Sequence, residues 1–229
     1  MSADPRGAQT GAIAPQRVEG VLPIAHYGAL GEGRSVALSG LDGGLDWWCA
    51  PNMDSPPLFD RLLDGPEGGH FTLAPEGAFT ARRRYLPDSN VLVTTFTTDT
   101  GEATLTESLN SGNAGRLPWS ELARRIDGVR GQVRFGLEMK LGMRARNANP
   151  YHSRIGPHTV FHVERLLGLM IHHDRLDIAW SDAGACGTVE VSAGERITVA
   201  LVVGEEEPLV APTIEEIDGR ICLLYTSDA

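Results

Sequence analysis

The sequence predicts an all-β protein, an antiparallel β-sandwich with short helical turns. Three observations carry that expectation. Short apolar or β-branched runs recur along the chain, and Gly- and Pro-containing turns separate them. One run alternates strictly at Val133, Phe135, Leu137, Met139 and Leu141, the period of a half-buried strand. No strand–helix–strand rhythm and no repeat of fixed period interrupts the pattern. At 229 residues the chain is long enough for one large all-β domain.

Taken in order, residues 1–17 are small, polar and aperiodic, and are expected to form a leader without structure. Residues 35–38, the reversal Asp42-Gly43-Gly44 and residues 45–49 read as a hairpin, because glycine reaches the positive φ of a tight turn. Adjacent Trp47 and Trp48 must then face opposite sides of a strand, one toward a core and one toward a partner surface. Residues 58–63 fit a short helical turn. Strands are expected at 70–74, 78–85, 91–98 and 103–109, the last two joined by Asp99-Thr100-Gly101-Glu102. Residues 111–115 read as a loop, 121–127 as a short segment, 132–141 as a strand and 144–157 as a long exposed loop. Strands at 159–163, 166–172, 176–180, 188–191 and 196–203 complete the sandwich. Thr213 with Glu215 and Glu216 resembles the cap of a helix that begins at Ile214.

Charge narrows the function classes. With a net charge of -10 and a pI near 5.1, the chain lacks the clustered cations that nucleic acid or an anionic membrane surface requires, and neither is an expected partner. No segment approaches the roughly 20 apolar residues of a membrane span, and the N-terminus has no signal-like apolar run. Cys49, Cys186 and Cys222 form no CxxC pair, so reduced, buried thiols in a cytoplasmic protein are expected.

Candidate chemistry is sparse. Asp54-Ser55-Pro56 beside Trp47 and Trp48 is the best local candidate, since aromatic faces stack on sugar C–H groups and carboxylates accept sugar hydroxyls. The competing reading is a structural corner, with Asp54 bonded to backbone N–H groups and the prolines fixing φ. Arg82-Arg83-Arg84 reads as a solvated strand edge rather than an acid-binding patch. His158 and His162 are four apart, but Pro157 and β-branched Thr159 and Val160 oppose a helix. His172 and His173, if on a strand, face apart. No metal and no cofactor is expected. Gly31-Glu32-Gly33 lacks the ending of a phosphate loop.

One ordered block carries a resemblance. It runs Tyr27-Gly28-Ala29-Leu30-Gly31-Glu32-Gly33, the apolar run 35–38, Asp42-Gly43-Gly44, Leu45-Asp46-Trp47-Trp48-Cys49-Ala50-Pro51 and Asp54-Ser55-Pro56-Pro57-Leu58-Phe59. With Gly69-His70-Phe71, Arg83-Arg84-Tyr85-Leu86-Pro87-Asp88-Ser89-Asn90 and Glu121-Leu122-Ala123-Arg124-Arg125-Ile126-Asp127-Gly128, it resembles the start of bacterial glycoside hydrolase family 15 proteins, the glucoamylases and trehalases. The resemblance covers about residues 18–208 and implies that family's amino-terminal super-β-sandwich. Three places depart from it: Met53 stands where Phe is usual, His26 where Asp is common, and Glu107-Ser108-Leu109-Asn110 where the family has Asp-Phe-x-Pro.

Inverting glycosidases need two carboxyl groups about 6.5–9.5 Å apart, and the resemblance implies that both lie in a following (α/α)6 barrel. Residues 209–220 would then begin the linker to that barrel, and 221–229, unlike the family, read as a non-native tail. The expectation is a non-catalytic domain that supports its own catalytic domain in a cytoplasmic enzyme acting on an α-glucan or trehalose. The alternative is a free-standing carbohydrate-binding or scaffolding sandwich. No catalytic residue is assigned. Trp47, Trp48, Asp54 and Ser55 are the candidate sugar or domain-interface contacts.

Overall fold

A computed structural model describes residues 11–112, 117–142, 150–181, 184–205 and 209–226, the side chains of the last run as far as Cys222. In chain order the strands are β1 Tyr27–Gly31, β2 Val36–Gly40, β3 Gly44–Cys49, β4 Pro57–Phe59, β5 His70–Pro75, β6 Thr80–Tyr85, β7 Leu92–Thr97, β8 Gly101–Asn110 and β9 Ser120–Lys140. They continue with β10 Tyr151–Ile155, β11 His158–Val163, β12 Leu166–His172, β13 Asp177–Ser181, β14 Gly184–Ser192 and β15 Arg196–Gly204. Helix α1, Arg61–Asp64, is a single turn, and α2, Ile214–Thr226, is the last described element. Every strand pairing is antiparallel. The expected all-β class is the observed one.

Strand β9 organises the sandwich, because it belongs to both sheets. Its first half pairs with β8 and β15 in a sheet ordered β10-β11-β12-β15-β9-β8-β7-β6. Its second half pairs with β5 and β14 in a sheet ordered β1-β2-β3-β5-β9-β14-β13, with β4 on β3. The changeover lies at Gly131, whose φ of 63° only glycine adopts freely. A Cβ there would run into the carbonyl oxygen of Thr100. A bulge between Glu102 and Ala103 of β8 faces the same point, and such bulges let a strand bend between sheets.

Between the sheets lies the main core, which includes Leu45, Trp48, Phe71, Phe96, Leu122, Phe135, Leu137 and Leu201. A second cluster fills the outer side of the first sheet. There Val160, Leu169, Ile171, Ala200 and Val202 meet Ile217 and Ile221 of α2. Hence β15 is apolar on both faces, a near-continuous run rather than an alternation. Each isoleucine of α2 so buried is worth about 1.5–3 kcal/mol. The helix start is a reciprocal box. Thr213 Oγ1 accepts from Glu216 N at 3.2 Å, and Thr213 N donates to Glu216 Oε2 at 2.9 Å.

Several expectations change. The segments 121–127 and 132–141 are one strand of 21 residues, because its exposed middle hides the continuity. Tyr151–Ile155, read as loop, is an edge strand exposed on both sides, so no alternation marks it. The rest of that loop, 143–149, lies outside the described residues, as do 113–116. Order also starts before residue 18: Ile13 pairs with Ala81 through backbone bonds of 2.7 and 3.0 Å. At the other end α2 runs past residue 220, and Ile221 is buried. Of the three thiols only Cys49 is buried, while Cys186 and Cys222 are exposed. In Arg82-Arg83-Arg84, Arg83 turns inward. It donates to the carbonyls of His26 and Ser39 at 3.0 Å each.

Candidate functional site

The hairpin of β2 and β3 delivers the two tryptophans. Gly43, at φ 83°, makes the reversal, and Gly44 N donates to Asp42 Oδ1 at 3.1 Å. As strand alternation requires, Trp48 is fully buried and Trp47 only half-buried, opposite Leu38. Trp48 stacks on Phe59 with ring centroids 6.2 Å apart, and its Nε1 donates to Ser35 Oγ at 3.2 Å. Trp48 is therefore a core residue with a satisfied indole N–H, and no surface reaches it.

Past β3 the chain turns a corner. Ser55 N donates to the Asn52 carbonyl at 3.1 Å and Asn52 N to Ser55 Oγ at 3.3 Å, so Ser55 caps its own turn. Met53 N donates to the Arg34 carbonyl, and Ser120 Oγ donates to the Pro51 carbonyl. Asp54 stands exposed at the tip, and its carboxylate makes no hydrogen bond or ion pair with the described residues. Met53 beside it is 63 % exposed. Sequence reasoning missed Arg34, which donates to the Trp119 carbonyl at 2.8 Å and pairs with Glu32 at 3.3 Å. These contacts tie the corner to the start of β9. The structure thus leaves Trp47 half-buried on β3 and Asp54 and Ser55 in the turn that follows, and withdraws Trp48 into the core.

Inside, four acidic residues are wholly buried among the described residues: Asp46, Asp60, Glu107 and Glu121. Each is committed. Asp46 accepts from Arg17 at 2.6 Å, from Arg61 Nε at 2.8 Å and from Tyr27 Oη at 2.7 Å. Burial and that bond to Asp46 push the Tyr27 hydroxyl up to about 12. Glu121 takes two bonds from Arg220 of α2, at 2.7 and 2.8 Å, and a third from Asn110. Asp60 accepts from Gly69 N at 2.6 Å. Glu107 pairs with Arg124 at 2.9 Å, both fully buried, and also accepts from Ser39 Oγ at 2.7 Å. Arg124 spends its remaining donors on the carbonyls of Phe71 and Gly43, 2.6 Å each, and lies over the Phe71 ring. Each of these carboxylates has its oxygens taken up by fixed donors of the fold and so serves its framework.

His70 is the buried titratable group with a readable pH consequence. Its Nδ1 lies 3.2 Å from the Gly68 carbonyl, and its Nε2 is 3.5 Å from the largely exposed Glu138. Burial first, then the Arg61 charge, lowers its pKa, and these outweigh the screened Glu138. The unfolded chain therefore binds this proton more readily. Stability is full above roughly pH 6.5, the unfolded value, and falls as the pH drops toward the folded one. The urea midpoint is expected to fall between pH 7.5 and 5.5, and a smaller fall is expected in His70→Gln. Identical slopes for the two proteins would remove His70 from the account.

A cleft of about 390 Å³ lies between Ile13, His26, Tyr27, Arg83 and Tyr85, away from the predicted contacts in sequence. Among the described residues no group of three or more His, Cys, Asp or Glu side chains could hold a metal ion. No helix among them is long and apolar enough to cross a membrane.

A family model described as trehalase-like, N-terminal, matches residues 17–136, slightly more than half of the chain. The chain is similar to a trehalase of Mycolicibacterium smegmatis, 39% identical over 104 residues, which is 45% of this chain and 15% of that protein. A trehalase of Mycobacterium tuberculosis is 36% identical over 104 residues, 45% of this chain and 14% of its own length. A trehalase of Thermoplasma volcanium is 28% identical over 127 residues, 54% of this chain and 20% of that protein. The similarity spans a fifth or less of each of these relatives.

Proposed function

The chain belongs to the trehalase-like N-terminal family, and from that premise we propose that it is the non-catalytic amino-terminal domain of a trehalase-type α-glycosidase. Trehalose is the substrate of the whole enzyme in this reading, and glycoside hydrolase family 15 is its class. Residues 18–208 form the support domain, and the stretch from 209 leads toward the domain that carries the catalytic carboxylates. The observation that carries the reading is the state of the buried acids. Asp46, Glu107 and Glu121 are each neutralised by arginine, whereas inversion needs one protonated and one free carboxyl group facing a shared space.

The corner at Trp47, Asp54 and Ser55, with exposed Met53, is the surface we assign to the neighbouring domain. An unpartnered carboxylate next to an exposed thioether on a braced loop suits a mixed polar and apolar contact. The cytoplasm is the proposed compartment, in keeping with three cysteines that form no disulfide. The 229-residue chain by itself is expected to release no glucose from trehalose, maltose or maltooligosaccharides. Sustained glucose production by this chain, followed with a coupled oxidase assay, would contradict the support-domain reading.

A further inference from the structure

Helix α2 covers only part of the outer face of the first sheet, and the strip it leaves open has a built surface. Strand alternation places Tyr151, Ser153 and Ile155 of β10 on one face. Across the register these oppose His162, Val160 and His158 of β11. Val160 is buried with α2, so this is the helix-bearing face, continued beyond the helix to the sheet edge. There Tyr151 and Ile155 are 56% and 61% exposed.

The rings at this edge are fixed. Tyr151 lies parallel to His162, with centroids 4.3 Å apart and planes within 8°. His162 is anchored in turn, its Nε2 lying 3.2 Å from Ser153 Oγ. On the opposite face His152 stacks against Trp180, with centroids 6.2 Å apart, and Trp180 also meets Phe161. The hairpin is thus pinned to β13 from below, while its upper side presents one ring. Because β10 pairs with β11 alone among the described strands, the Tyr151 face turned away from His162 looks past the sheet edge to solvent.

We propose that Tyr151, backed by His162 and with Ser153 two residues along the same face, is a binding platform for one pyranose ring of an α-linked glucan. The electron-rich ring face attracts the C–H face of the sugar, and the Ser153 hydroxyl on the same strand face is placed to meet one of its hydroxyl groups. Prior fixation of both rings and the hairpin removes ordering losses that a mobile aromatic would suffer. A nucleobase also stacks on such a ring, but its phosphates meet a chain of net charge -10. The choice of a sugar rests on the glycosidase reading above. The site itself is separate from the Trp47–Asp54 corner and requires no catalysis.

Calorimetric titration of the 229-residue chain with maltoheptaose, and with AMP as the competing class, tests the proposal. Saturable maltoheptaose binding is expected, weakened about tenfold in Tyr151→Ala by loss of one stacked face. It should be retained in Tyr151→Phe, which keeps the ring, and in Asp54→Ala at the other corner. Thermal midpoints of the variants verify that each is folded. Absence of maltoheptaose binding, equal binding by Tyr151→Ala, or binding of AMP alone would overturn the platform. None of those results touches the support-domain reading, which fails only through glucose release by this chain.

Discussion

Replacing Arg124 by methionine is expected to destabilise the fold by about 3–5 kcal/mol, the cost of leaving one member of a buried ion pair alone. Against a total of about 5–15 kcal/mol, such a loss brings the domain close to unfolding at room temperature. The side chain is fully buried, and that burial lowers its pKa while Glu107 opposes the shift. Removing it strands the Glu107 carboxylate and also orphans the carbonyls of Phe71 and Gly43. The double variant Arg124→Met with Glu107→Leu should recover part of the loss, because no isolated charge remains. Recovery stays partial, since the two carbonyls still lack a donor. Urea unfolding of the single and double variants measures both effects. A single variant within about 1 kcal/mol of the parent, the scale of an exposed pair, would show that the network is incidental.

Trp48→Ala is expected to cost about 3–5 kcal/mol, the range for deleting a large aromatic from a packed core. The ring is fully buried, stacked on Phe59 and donating to Ser35 Oγ, so truncation leaves a hole and a buried hydroxyl oxygen without its donor. Trp47→Ala, on the half-buried side of the same strand, should lose much less. Thermal unfolding separates the two. Equal losses would mean that the two indoles share one environment, contrary to their alternation along β3.

How far the sequence foretold this molecule depends on which physics left a trace in composition. The hairpin at Asp42-Gly43-Gly44 was legible because φ near 83° calls for glycine, and the cap at Thr213 because hydroxyl and carboxylate sit three apart. The opposite fates of Trp47 and Trp48 followed from strand alternation, though which one was buried did not. The unity of β9 was hidden, since residues 129–132 face solvent and interrupt the apolar pattern. Edge strand β10 was hidden for the same reason, being wet on both sides. At the corner, Arg34 and Trp119 escaped notice because their contact joins residues 85 apart and uses a backbone carbonyl. The inward turn of Arg83 lay in plain view as the middle of three arginines on a strand. Yet three like charges read more simply as a solvated edge.

Strand β9 has a consequence for how this molecule comes apart. Its two halves are stitched to different layers, so neither layer can detach while the other keeps all its rungs. Loss of order in one layer drags on the shared ribbon and loosens the other. The sandwich is therefore expected to melt as a single unit, with the buried amides of residues 120–126, held between β8 and β15, the last to exchange with solvent.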